Sequence, residues 1–204
     1  MGFYSRIVFP RLCDLFLGRP FVAKLRRQLL ADAQGSILEI GFGTGLNLPC
    51  YPNQVRRITT VDPNPGMHQL AQRRIRRTGI VVDHRQLSGE RLPFDDGAFD
   101  CVVSTFTLCS IDKVDQALRE VRRVLKPGGR FLFLEHGLCP EPNVQRWQLR
   151  LNWLEQKLAD GCRLDRNIAA LVNAAGFGTT NVEQFHLEGV PRTHGYLYRG
   201  AATR

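Results

Sequence analysis

The stretch Ile37-Leu38-Glu39-Ile40-Gly41-Phe42-Gly43-Thr44-Gly45-Leu46-Asn47 sets three glycines at alternate positions directly after an apolar run. Glycines spaced in this way let the backbone turn tightly and let a ligand come closer than any Cβ would permit. A second apolar run, Arg57–Val61, ends at Asp62-Pro63, with Asp62 lying 21 residues after Gly41. A carboxylate at the tip of the following strand is placed to accept hydrogen bonds from ribose hydroxyls. Together the turn and the aspartate point to a nucleoside-type cofactor. Nicotinamide and flavin enzymes prefer G-x-G-x-x-G/A, whose third small residue allows close helix–strand packing. That position is Leu46 here, which fits a dinucleotide poorly.

A second set of chemically capable residues lies further on. Open α/β sheets bind ligands at the carboxyl ends of their strands, which selects Thr105, Phe106, Thr107 and Cys109 after one strand and Glu135, His136 and Gly137 after the next. His136 carries an imidazole, a group able to take a proton from a weakly acidic nucleophile; a strand-end histidine bonded to backbone is the equal alternative. Asp160-Gly161-Cys162 and Arg166 could shape an acceptor pocket or simply form a turn between helices. The six cysteines, at 13, 50, 101, 109, 139 and 162, contain no C-x-x-C pair and no local Cys/His cluster. Neither a metal site nor a disulfide framework is expected from such spacing.

These residues need elements to position them. Ser36–Ile40, Arg57–Val61, Gly79–Asp83, Asp100–Ser104 and Arg130–Glu135 read as buried strands, rich in β-branched and large apolar residues. The glycine turn is expected to open a helix. Met67, Leu70, Ala71 and Ile75 mark another, with Asn64 as N-cap and Pro65 at its first position. Val114, Ala117, Leu118, Val121 and Leu125 mark a third, ended by Lys126-Pro127-Gly128-Gly129. Strand–helix alternation predicts a doubly wound, mostly parallel sheet. Val144, Trp147, Leu151, Leu154 and Leu158 suggest a long helix with a buried face, and a further helix is expected from Asp165 to about Ala175. Strands are expected at about Thr179–Leu187 and His194–Ala202. A single domain results, with a helical N-terminal flank (1–33), a cofactor-binding core (35–136) and a helical acceptor-side cap (140–176).

At the glycine turn the sequence resembles the class I S-adenosylmethionine-dependent methyltransferases, which use the G-x-G-x-G form. Leu87-Ser88-Gly89-Glu90-Arg91-Leu92-Pro93-Phe94 is similar to their adenine-side loop, Ala98–Ser104 to their fourth strand, and Leu125-Lys126-Pro127-Gly128-Gly129 to the turn before their fifth. The resemblance implies a seven-stranded, Rossmann-like sheet with its last strand antiparallel, and S-adenosyl-L-methionine as cofactor. It places Glu39, Gly41, Gly43 and Gly45 beside the methionine and ribose, Asp62 on the ribose hydroxyls with Pro63 and Asn64 alongside, Ser88 and Gly89 at the adenine, and Thr105 near the sulfonium. Asp62-Pro63-Asn64-Pro65, Thr107-Leu108-Cys109-Ser110, Glu135-His136, Asp160-Gly161-Cys162-x-Leu164-x-Arg166 and His194-Gly195-Tyr196 further resemble the alkyl thiol S-methyltransferases of the methyltransferase-like-seven group. Transfer to a small thiol or sulfide is then implied, with His136 and Thr105 as catalytic candidates and Tyr4, Thr107, Cys109, Cys162 and Arg166 around the acceptor. Phe3 and Tyr4 could close over that acceptor as a lid. A quinone-ring carbon or a lipid amine is the alternative acceptor, since the cofactor motifs would look alike.

Composition limits the remaining options. With 204 residues, 43% hydrophobic and 23% charged, the chain suits one domain with a sizeable core. The 28 basic against 19 acidic residues give +9, and 24 of the 28 are Arg. Arg73, Arg74, Arg76 and Arg77 fall on the outer face of the helix after Asn64, so the charge reads as a solvated surface and no nucleic-acid partner is expected. No apolar run reaches the ~20 residues of a membrane span or forms a secretory h-region. The expectation is a cytoplasmic protein without integral membrane association.

Overall fold

The apolar runs pair into one seven-stranded sheet, seen in a computed structural model that describes residues 2–204. The strands are β1 (Ile37–Ile40), β2 (Arg57–Val61), β3 (Val81–Arg85), β4 (Phe99–Thr105), β5 (Leu125–His136), β6 (Thr180–His186) and β7 (Tyr196–Thr203). Their order is β3-β2-β1-β4-β5-β7-β6. Neighbours from β3 to β5 run parallel, while β7 lies antiparallel between β5 and β6. The chain winds outward in both directions from the β1–β4 junction. That switch point opens a crevice at the carboxyl ends of the strands.

The helices are α1 (Phe9–Leu17), α2 (Pro20–Leu30), α3 (Pro65–Thr78), α4 (Val114–Val124), α5 (Pro142–Leu158) and α6 (Ile168–Ala174). Alternation along each strand splits the core into two apolar layers. On β5, Phe131 and Phe133 face the layer of Leu118, Val121 and Val172. Leu132 and Leu134 face the layer of Leu29, Leu30 and Phe42. Asn64 caps α3 as expected, its Oδ1 accepting the Gly66 N–H at 3.0 Å.

Four local expectations change. The glycine turn opens no α-helix; a single 3₁₀ turn, Leu48–Cys50, follows it. Pro49 and Pro52 deny the backbone donors that a longer helix needs. The N-terminal flank supplies the missing cover, since α2 buries Val22, Leu29 and Leu30. Strand β3 starts at Val81 because Gly79 ends α3 in a left-handed conformation (φ 68°). Strand β5 begins at Leu125, which pairs with Phe99 before the register shifts to Cys101 opposite Arg130, so the Pro-Gly-Gly segment is a bulge within the strand. Finally, Trp147, Leu154 and Leu158 do not form a buried face: they are 56%, 36% and 54% exposed. Helix α5 is held instead through a buried polar side chain, Gln148, which accepts the Cys139 N–H and donates to the carbonyls of Gly137 and Thr193. Among the described residues no helix is long and apolar enough to cross a membrane.

Candidate active site

A cavity of about 410 Å³ lies over the crevice, walled by the glycine turn, the ends of β2 and β4, the loop at Ser88–Glu90, α1 and Asp160. Its floor follows from the glycines. A side chain at Gly41 (φ 71°) would put its Cβ 2.0 Å from Thr107 Oγ1, whereas one at Gly43 (φ 56°) would meet only a carbonyl, at 3.9 Å. Both need the left-handed backbone that glycine adopts without strain, and Gly43 leaves its space open to a ligand. Asp62 braces the turn: one carboxylate oxygen accepts the Gly43 N–H and the other the Asn64 N–H, each at 2.8 Å. Burial raises its pKa, the two backbone donors and the Asp160 charge acting against and with that shift respectively. The spare lone pairs of that carboxylate are the acceptors available to a diol.

Behind the glycine turn sits a buried polar network that the sequence did not disclose. Arg26, on α2, donates to Asn47 Oδ1 at 2.7 Å and to Thr105 Oγ1 at 2.5 Å. Asn47 donates onward to Glu39 at 3.0 Å and Thr105 at 3.1 Å. Tyr51 donates to the other oxygen of Glu39 at 2.7 Å. Burial pushes Glu39 up to about 7, opposed by Tyr51, Asn47 and the Arg26 charge. Burial also draws Arg26 down to about 10, and its guanidinium lies 5.2 Å from the Phe106 ring centre. Its Nε is buried without a partner among the described residues, and Arg26 contributes to the cavity wall. A guanidinium there puts a positive charge behind the glycine turn, which an anionic ligand group such as an amino-acid carboxylate would meet. The helical pattern of residues 1–33 gave no reason to single out this arginine from its neighbours.

Helix α1 closes the opposite side. Phe9, Cys13 and Leu17 face the cavity, and Asp14 ties the helix down by accepting from Thr44 Oγ1 at 2.6 Å and from Arg74 at 2.7 and 3.1 Å. Burial, aided by the charges of Cys109 and the nearby aspartates, pushes the Cys13 thiol up to about 12.

All but Gly45 and Tyr4 of the expected site residues fall into two groups. Glu39, Gly41, Gly43, Asp62, Pro63, Asn64, Ser88, Gly89, Thr105 and Thr107 line the cavity. Gly45 lies one turn behind and packs toward Ala71 on α3. Cys109, Cys162, His136 and Arg166 are outside the cavity wall but belong together. Cys162 Sγ lies 3.4 Å from Cys109 Sγ and 3.7 Å from His136 Nδ1, and Arg166 donates to the carbonyls of Leu108 and Asp112. Ser110 and Asp160, next to this cluster in sequence, do line the cavity. Tyr4 is not in the wall; its hydroxyl donates to the Leu158 carbonyl at 2.5 Å, and Ser5 donates to Asp160 at 2.7 Å. These contacts fasten the N-terminal turn to the end of α5.

Sheet order, glycine turn, acidic strand tip and crevice together define a Rossmann-like enzyme of the nucleoside-cofactor kind. Comparison with known proteins agrees. The methyltransferase-domain family matches residues 38–133. Human thiol S-methyltransferase TMT1A is 34% identical over 181 residues, 79% of this chain and 71% of that protein. The ubiquinone/menaquinone biosynthesis C-methyltransferase UbiE of Escherichia coli is 32% identical over 124 residues, 56% of this chain and 49% of that one. A crystal structure of a possible histamine N-methyltransferase from Thermotoga maritima superposes with a TM-score of 0.69 over 98% of this chain and 97% of its own, at 22% identity, which speaks for the fold alone. The chain belongs to the class I S-adenosylmethionine-dependent methyltransferases, and methyl transfer with S-adenosylmethionine as co-substrate is what its domain implies.

Proposed function

We propose that this enzyme methylates a small apolar thiol or sulfide. The observation that carries the reading is the similarity to TMT1A, which runs through 79% of the chain and so extends well beyond the length of the methyltransferase-domain match. The match to UbiE is confined to little more than half of it. Asp62 would take the cofactor's ribose hydroxyls, Ser88 and Gly89 would flank its adenine, and Arg26 would face its carboxylate.

Methyl transfer is an in-line displacement, so the protein chiefly aligns the acceptor lone pair behind the methyl carbon and excludes water. A thiol as acidic as the cysteine side chain, with a pKa of ~8.5, is already partly ionised near neutrality and needs only a modest base. His136 would take that role if the acceptor reaches past the cavity wall to the Cys109–Cys162 pair beside it, where its Nε2 is buried with no partner among the described residues. The sulfonium of the cofactor would supply positive charge beside a thiolate.

The reading is tested by label transfer from S-adenosylmethionine to alkanethiols, hydrogen sulfide, quinol precursors and phosphatidylethanolamine. Methyl sulfides are expected; label only in quinol or lipid would overturn the thiol reading. His136→Ala should lower turnover more at pH 6 than at pH 9, where thiols ionise unaided. An equal loss at both would remove His136 as the base.

A further inference from the structure

The connection from β5 to α5 and the last residue of β6 bring together three side chains that the cofactor cavity does not use. Cys139 Sγ lies 3.6 Å from His186 Nε2, and His186 Nε2 lies 3.0 Å from Glu141 Oε1. All three ligand atoms fall within 4.8 Å of one another. Around a tetrahedral zinc ion, bonds of ~2.3 Å to sulfur and ~2.0–2.2 Å to nitrogen or oxygen would separate S and N by about 3.6 Å and N and O by about 3.4 Å. We propose that Cys139, Glu141 and His186 form a site for a borderline-soft divalent cation, of which Zn²⁺ is the best fit.

The donor set argues for that class. One thiolate, one imidazole and one carboxylate suit zinc, whereas magnesium and calcium take oxygen ligands. Each ligand is also oriented before any ion arrives. Gln148 Oε1 accepts the Cys139 N–H at 2.8 Å, and its amide holds Gly137 and Thr193 at 3.0 Å each. Tyr196 packs against the His186 ring at 5.0 Å and 69°. His186 Nε2 faces Cys139 and Glu141 and is the nitrogen that would meet an ion, while Nδ1 is buried without a partner among the described residues. Access is available: Cys139 is fully buried, but the His186 and Glu141 side chains are 29% and 45% exposed. Arg192 also donates to Glu141 and competes with a cation. It is 63% exposed and can turn to solvent when the ion binds. Coordination would release the Cys139 proton to solvent, form the Cys139, His186 and Glu141 bonds to the metal and leave the fourth position to water. The ion would clip β6 to the segment that launches α5.

The experiment uses the full chain, stripped with a chelator and titrated with Co²⁺. One equivalent should raise a thiolate-to-cobalt charge-transfer band in the near ultraviolet, and added Zn²⁺ should bleach it. Cys139→Ser should remove the band, and His186→Ala and Glu141→Gln should each weaken Co²⁺ binding by more than the ~10-fold that outer-shell changes begin to cost. Zn²⁺ should raise the melting temperature of the wild type but not of Cys139→Ser. No band at one equivalent would overturn the proposal. So would a band that survives Cys139→Ser and disappears in Cys109→Ser/Cys162→Ser.

Discussion

The glycine-turn end of the cavity and its cap end are held together differently. At the glycine turn, backbone and side chain are locked by short buried bonds: Asp62 to Gly43 and Asn64, and the Arg26–Asn47–Glu39–Tyr51 network behind them. At the cap end, α5 buries only Val144 and Gln148 and leaves Trp147 and Trp153 more than half exposed. One end is built before any ligand arrives. The other is fastened at separate points, Tyr4 to Leu158, Ser5 to Asp160, and Gln148 to Cys139, Gly137 and Thr193. A cofactor common to a whole family suits the first construction, and an acceptor that differs between relatives suits the second.

That contrast can be broken by substitution, with the greatest effect expected at Arg26. Arg26→Met removes the donor that joins Asn47 and Thr105 and leaves Glu39 buried without a nearby cation. A loss of about 3–5 kcal/mol in urea unfolding is expected, and Arg26→Met/Glu39→Gln should recover part of it. A double variant no better than the single one would show that the network does not act as a unit.

A smaller, pH-dependent effect belongs to Glu135. Its carboxylate accepts from Ser104 Oγ at 2.7 Å and the Thr107 N–H at 2.8 Å, yet burial pushes its pKa up to about 7 from an ordinary 4.5. Because the folded value lies above the unfolded one, its contribution is complete below pH ~4.5 and fades as pH rises through ~7. Wild type should therefore lose roughly 2–3 kcal/mol more than Glu135→Gln between pH 5 and pH 8. Parallel stability curves would contradict this.

The least effect is expected at the α1 clamp. Arg74 and Asp14 are 28% and 33% exposed, and a pair so open to solvent contributes about 1 kcal/mol or less. Asp14→Asn should weaken cofactor binding by no more than about fivefold, and added salt should narrow the difference. A complete loss of binding would make α1 part of the locked end.

Much of the locked end was legible in the sequence, because it is written in local spacing. The places of Gly41, Gly43 and Asp62 in the fold follow from a strand, a turn and a second strand, and Asn64-Pro65 announces the start of α3. Arg26 was not legible, since its partners lie 21 and 79 residues away and many arginines share its helical context. The missing helix after the glycine turn was hidden too, for α2 arrives from an earlier segment to cover that face. On the acceptor side, the stripe from Val144 to Leu158 has the period of a buried helix. Period alone cannot reveal that the anchoring side chain is Gln148. His136, Cys109 and Cys162 were each singled out as strand-end or turn residues, but their meeting depends on how the cap folds back.

The most direct measurement is calorimetric titration of S-adenosylhomocysteine into wild type, Asp62→Ala and Cys162→Ser, with circular dichroism to confirm that each is folded. If the cofactor occupies the glycine-turn end, Asp62→Ala loses two charge-assisted hydrogen bonds to the ribose and should bind at least ~100-fold more weakly, while Cys162→Ser should bind as tightly as wild type. Unchanged affinity in folded Asp62→Ala, or equal losses in both variants, would contradict the assignment of the cofactor to the glycine-turn end.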